Sequence, residues 1–162
     1  MPKPKIAIIM GSQSDLETVN EAINLLKEFR VAYQVRVLSA HRTPKDVAKF
    51  SEAARKGGIK VIIAAAGGAA ALAGVIAAHT TLPVIGIPIE TSSLKGIDSL
   101  LSTVQMPAGI PVASMAIGKA GAKNAGLFAL EILATADKNI EKKLAGYKKE
   151  LARKVKEIKL NV

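Results

Sequence analysis

The sequence predicts a three-layer αβα fold: a doubly wound parallel sheet with helices on both faces. Three observations carry that expectation. Five short apolar runs recur along the chain, each is followed by a stretch of helical spacing or of small residues, and the runs are continuous rather than alternating. Continuous apolar strands belong to sheets covered on both faces. The length of 162 residues suits one domain spanning 1–162.

Ile6–Met10 is the first buried strand. After Gly11-Ser-Gln-Ser-Asp15, residues Leu16, Val19, Ile23, Leu26 and Phe29 fall at spacings of three and four and give a helix. Tyr33–Leu38 is the second strand. Thr43 as cap and Pro44 as first helical residue begin a helix through Val47, Phe50 and Ala54, which stops at Gly57-Gly58. Ile59–Ala65 forms the third strand and Ala70–Ala78 a helix of small residues. Such a helix lets other backbones approach closely, which suits a subunit interface or a central helix inside the monomer equally. Leu82–Ile87, Ile97–Gln105, Val112–Ile117 and Asn124–Ala134 complete the series as strand, helix, strand and helix. The core thus runs over 5–135. A basic amphipathic helix at 138–159 follows, its apolar stripe formed by Ile140, Leu144, Tyr147, Leu151, Val155 and Ile158.

The formal net charge of +10 raises nucleic acid or an anionic membrane as partners. Its distribution argues against both. Nine Lys or Arg against three Glu lie in 138–159, while 6–137 is nearly neutral. A docked helix with a solvated lysine face is favoured over a nucleic-acid arm, because aromatic interleaving is missing. With no cysteine, disulfides and thiol nucleophiles are excluded, and two histidines leave zinc poorly served, so no metal is expected. The apolar stretch Val61–Ala78 is broken by Gly67, Gly68 and Gly74 and falls short of the roughly 20 strongly apolar residues of a membrane span. Met-Pro-Lys-Pro-Lys before a short apolar run makes no cleavable signal. A soluble cytoplasmic protein is expected.

Ligands of doubly wound sheets bind beyond the carboxyl ends of the strands, which directs attention to the loops 11–15, 39–43, 66–71 and 88–95. In the first, backbone N–H groups at a helix start favour an anion, Ser12 and Ser14 add hydroxyls, and Asp15 can accept from a ribose diol. A plain cap by Ser14 or Asp15 explains the same residues without a ligand. No strict P-loop and no Gly-x-Gly-x-x-Gly occurs, which disfavours nucleoside triphosphatases and dinucleotide dehydrogenases. Ser39-Ala-His-Arg-Thr-Pro44 is the most informative segment. Arg42 can hold a phosphate bidentately, and the His41 imidazole belongs to the side-chain type that exchanges protons near neutral pH. At Gly67-Gly68 a planar base can lie against backbone, although a tight turn entering a helix accounts for the glycines as well. His79, at a helix end, reads as a cap.

These segments, together with Leu82-Pro-Val-Ile-Gly-Ile-Pro88 and Asp98-Ser-Leu-Leu-Ser-Thr-Val-Gln-Met-Pro107, resemble the catalytic subunit of the phosphoribosylaminoimidazole carboxylase family. The similarity is collinear over about 5–135. Within the family it points to class I, the mutases of N5-carboxyaminoimidazole ribonucleotide. The resemblance implies a flavodoxin-like fold, a homo-octamer and a small ribonucleotide substrate. It implies an isomerase of de novo purine (IMP) biosynthesis that yields 4-carboxy-5-aminoimidazole ribonucleotide without a cofactor. Carried over by position, Ser12, Asp15 and Arg42 bind substrate with Ser14 and Ser39 close by, His41 is the catalytic histidine, and Gly67 and Gly68 lie against the imidazole. One departure stands out. Class I members commonly have His-Leu-Pro where this chain has Ala71-Leu72-Ala73. Class II carboxylases, which take carbon dioxide directly, typically show His-Lys and a Ser-Asn pair, so Arg42 and Gly67-Gly68 favour class I. The alternatives are a class II-type carboxylase and, outside enzymes, a non-catalytic nucleotide-binding module.

Overall fold

The computed structural model describes residues 3–160. Five parallel strands, β1 (Ile6–Met10), β2 (Tyr33–Val37), β3 (Val61–Ala66), β4 (Val84–Pro88) and β5 (Ala113–Ser114), form one sheet in the order β2-β1-β3-β4-β5. This is the flavodoxin-like order. The helices are α1 (Leu16–Phe29), α2 (Pro44–Ala54), α3 (Leu72–Ala78), α4 (Ile97–Val104), α5 (Gly118–Ala134) and α6 (Lys138–Lys156).

The central strands β1, β3 and β4 carry no polar side chain because the sheet is buried on both sides there. Successive side chains of a strand point to opposite faces. Accordingly Ile6, Ile8 and Met10 join Val61, Ile63 and Ala65 in a core with α1 and α5. Ala7, Ile9, Ile62 and Ala64 face the other way, toward α2 and α3. In register, Ile8 pairs Val35 on one side and Ile63 on the other. Burying each such isoleucine contributes about 1.5–3 kcal/mol. β2 is one of the two edge strands and is less buried; Arg36 there lies over the Phe50 ring at 5.4 Å.

Several boundaries differ from the sequence expectation. The fifth strand pairs only through Ala113 and Ser114, with one further bond from the Met115 N–H to the Gly86 carbonyl at 2.9 Å. Pro111 has no N–H to give, and Gly118, at φ 74°, already turns the chain into a helix. That helix, α5, begins at Gly118 rather than Asn124. Its glycines hide it from propensity arguments, yet Gly121 packs against the Ala116 carbonyl where a Cβ has no room. α3 starts at Leu72, since Ala70 takes φ 31° in the preceding turn. One side of that small-residue helix packs inward, with Leu72, Ala73 and Ile76 buried in the α2/α3 face, and Gly74, Val75 and Ala77 on it are half-buried.

The terminal helix docks only in part. Asp137 caps it by accepting from the Asn139 and Ile140 N–H groups at 3.1 and 3.3 Å. Ile140 and Leu144 are buried, and Tyr147 packs on Phe29 with ring centroids 5.9 Å apart. Lys143 donates to the Phe29 carbonyl at 2.7 Å. Beyond that point the expected stripe has nothing beneath it: Leu151, Val155 and Ile158 are exposed. No helix among the described residues is long and apolar enough to cross a membrane.

Candidate functional site

β1 lies between β2 and β3, so the loops that follow these three strands meet at one edge of the sheet. The chain leaves β1 toward one side to form β2 and returns on the other to form β3, which opens a crevice beyond the strand ends. A cavity of about 400 Å³ occupies it. Its walls include Gly11, Ser12 and Asp15 from the first loop, Ser39, His41 and Arg42 from the second, and Gly67 and Ala71 from the third. The loop 88–95, expected to join them, does not line the cavity; it supports the glycine loop from behind, Ile89 N–H donating to the Ala66 carbonyl at 2.9 Å.

In the first loop Ser12 caps a short 3-10 turn, Gln13–Asp15, that leads into α1; Asp15 holds the N-cap position of α1 without a side-chain cap bond, and Ser14 caps neither. Ser12 Oγ accepts from the Ser14 N–H at 3.4 Å and from the Ser14 hydroxyl at 2.9 Å. Asp15 reaches back and accepts from the Ser12 N–H at 3.1 Å. The capping residues Ser12 and Asp15 therefore also line the cavity, and a cap does not preclude a cavity role. Ser14 braces Ser12 without lining the cavity. Asp15 is buried. That burial raises its carboxyl above the ordinary value against the opposing pull of the Ser12 N–H, the Ser14 hydroxyl, the Gly11 N–H and the Arg42 charge.

The second loop is laced to itself. Thr43 holds the N-cap position of α2, as expected, but its hydroxyl makes no cap bond. Its hydroxyl accepts from the Ser39 N–H at 3.0 Å and lies 3.1 Å from the Ser39 carbonyl. Ser39 Oγ accepts from the Arg42 N–H at 3.2 Å and from Arg42 Nε at 3.4 Å. Arg42 Nη2 donates to the Gly11 carbonyl at 3.0 Å. A guanidinium has five N–H donors in a rigid fork, so Arg42 keeps donors for an anion while these bonds set its plane. His41 is exposed at the cavity mouth.

In the third loop, Gly67 lines the cavity and Gly68 does not. Gly68 sits at φ 69°, which glycine adopts without strain. Its N–H donates to Ser99 Oγ at 2.9 Å. Sequence reasoning missed this bond: Ser99 lies in the motif at 98–107, but nothing local announces a partner 31 positions away. It also missed the Gly11 carbonyl as the anchor of Arg42. His79 holds the C-cap position of α3 and places Nδ1 3.2 Å from Glu52 Oε1; it does not line the cavity.

Comparison with known proteins places the chain. Residues 5–154 match the family model described as AIR carboxylase. A Bacillus subtilis protein named N5-carboxyaminoimidazole ribonucleotide mutase is 56% identical over 142 residues, 88% of each chain. A Pyrococcus horikoshii protein of the same name is 54% identical over 155 residues, 96% of this chain and 86% of the relative. Among solved structures, Treponema denticola PurE is 31% identical and superposes with a TM-score of 0.84 over 95% of each chain.

Proposed function

The chain belongs to the AIR carboxylase family, and from that premise we propose how its cavity moves a carboxylate from the amine of N5-carboxyaminoimidazole ribonucleotide to carbon 4 of the ring. The protein is an N5-carboxyaminoimidazole ribonucleotide mutase, an isomerase of purine biosynthesis. The observation that carries the site assignment is the convergence of His41, Arg42, Ser12, Asp15 and Gly67, from three separate loops, on one cavity.

Arg42 and the Ser12 loop hold the substrate phosphate, with Ser14 and Ser39 setting the positions of Ser12 and Arg42. Asp15 accepts from the ribose diol. Gly67 offers bare backbone to the imidazole face, and Gly68 sets the turn that presents it. Binding of the remote phosphate and ribose then orients the reacting ring. The N–CO₂ bond breaks, carbon dioxide stays in the cavity, and the amine nitrogen takes a proton from His41. Ring carbon 4 attacks the carbon dioxide and forms the new C–C bond. The proton on that carbon returns to His41, which restores the aromatic ring and the starting protonation state. The net change is a carboxylate shift with no proton gained or lost. His41 suffices as the proton carrier, so the position held here by Ala71 need not supply a second imidazole.

The protein works as a homo-octamer in the cytoplasm, each chain a single domain. The exposed side chains of Leu94, Ile97, Leu101 and Val104 around α4, and of Leu151 and Val155 on α6 with Ile158 just past its end, support assembly, since such stripes mark interaction surfaces. The test is a paired assay on purified protein. Product forms from the N-carboxylated ribonucleotide at physiological concentration and not from aminoimidazole ribonucleotide with bicarbonate. The reverse result assigns a direct carboxylase, and no product from either assigns a binding module. Sedimentation of the same sample measures the assembly.

A further inference from the structure

We propose that Ser99 is a positioning residue for this reaction, its hydroxyl holding Gly68 and thereby the glycine loop in the shape that backs the cavity. The inference rests on the mutase assignment of that cavity.

Ser99 is fully buried in α4. Its Oγ accepts from the Gly68 N–H at 2.9 Å and donates to the Ile89 carbonyl at 2.7 Å. The single hydroxyl hydrogen goes to that carbonyl, so a lone pair faces Gly68 and the direction of both bonds is set. Ile89 in turn donates its N–H to the Ala66 carbonyl at 2.9 Å. Both ends of the glycine turn are thus tied to the segment after β4, one directly and one through Ser99.

Other helical hydroxyls in the chain behave differently. Ser51 and Thr103 each donate to the carbonyl four residues earlier in their own helix, which is the ordinary local solution for such side chains; Ser102 does so too at 2.8 Å and only grazes the Gly68 carbonyl at 3.4 Å. Ser99 makes no such bond and spends its hydroxyl on two other segments. A buried hydroxyl carries a desolvation cost that an alanine would avoid, so its presence calls for those partners. The loop also needs an external restraint. Gly68 is at φ 69° and Ala70 at φ 31°, and a left-handed alanine is held by tertiary contacts rather than by its own preference. Without Ser99, the Gly68 N–H loses its partner and the Gly67 backbone loses its fixed plane. Misplacement of the ring by about 1 Å is enough to cost on the order of a hundredfold in rate.

The experiment compares the parent with Ser99→Ala, with the isosteric pair Ser99→Thr and Ser99→Val, and with Ser51→Ala as a buried-hydroxyl control outside the site. Three quantities are read: amide exchange at Gly68 without ligand, and kcat and KM for N5-carboxyaminoimidazole ribonucleotide. Ser99→Ala is expected to speed Gly68 exchange and to lower kcat by about tenfold or more, with KM changed by less than about threefold. Ser51→Ala changes neither. If Ser99→Ala does not fold, the Thr and Val variants decide, since they share a shape and differ in the hydroxyl: Thr is expected to exceed Val by about tenfold in kcat. Unchanged Gly68 exchange overturns the anchor. Faster exchange with kcat near the parent value overturns the positioning role. A parent that does not turn over this ribonucleotide refutes the mutase assignment instead, and the exchange measurement still decides the anchor.

Discussion

Arg42 Nη2 lies 3.0 Å from the carbonyl oxygen of Gly11, a bond across 31 positions of sequence that joins the loop after β2 to the loop after β1. It fixes the guanidinium on the cavity wall and ties the loop that carries Ser12 to the loop that carries His41. Much of the site's geometry follows from that one contact.

His41→Asn is expected to leave the urea unfolding curve unchanged, because the side chain is exposed and outside both cores. Loss of a general acid–base group costs about 10²–10⁴ in rate. Steady-state assays should show kcat reduced by that amount with KM little altered; retention of more than a few per cent activity sinks the proton-carrier role.

Arg42→Ala should raise KM about 10- to 100-fold, the effect of losing one charge-assisted phosphate contact. Arg42→Lys should recover little, since an ammonium cannot reproduce the planar fork that bonds Gly11 and Ser39 together. An effect confined to kcat at saturation contradicts the phosphate assignment.

Asp15 predicts a trade between stability and binding. Burial raises its carboxyl in the folded state above the ordinary value of 3.8. The folded state therefore prefers the protonated form, a contribution present below the unfolded value and lost as pH rises through the raised folded one. At neutral pH the ionised carboxylate weakens the fold. Asp15→Asn, which keeps an acceptor for the Ser12 N–H, should raise the midpoint of thermal unfolding at pH 7, narrow the advantage toward pH 3, and weaken substrate binding. A lower midpoint at pH 7 would show that the charge stabilises the loop instead.

Gly86→Ala tests how closely α4 rides on the sheet. A Cβ there collides with Cγ2 of Thr103 and comes within 3.2 Å of Val112 Cγ1. Overpacking of this kind costs about 1–3 kcal/mol, readable by urea titration. Adding Thr103→Ser removes the offending methyl and should return a large part of that loss. Equal stability of the single and double variants would place the strain elsewhere.

The strand runs and the helices at 16–29 and 44–54 were legible because burial of a whole strand, or of one helix stripe, leaves a periodic record in neighbouring residues. Thr43 stands at the cap of α2 as its sequence signature says, but the signature does not tell where the hydroxyl goes. A threonine before Pro44 carries the cap signature whether its hydroxyl turns to the helix or, as here, to Ser39. The helix at 118–134 was cut short because Gly118 and Gly121 oppose helix by propensity, and their use is decided by how near Ala116 comes. Of the candidate site, His41, Arg42, Ser12, Asp15, Ser39 and Gly67 all reach the cavity, while Ser14 and Gly68 stand just behind it.

By itself the sequence determined the alternation of strands and helices, the two apolar faces of the sheet and the chemistry available in the three loops, all of which are written in adjacent residues. Only the tertiary structure decided the strand order that places β1 between β2 and β3, the clasp of Arg42 on Gly11, the bond from Gly68 to Ser99, and the point past Tyr147 where the terminal helix loses its support. Each of these depends on a pair of positions brought together by the packing of the whole sheet. The energy of such a pair resides in the distance between two segments, and no pattern within either segment encodes it.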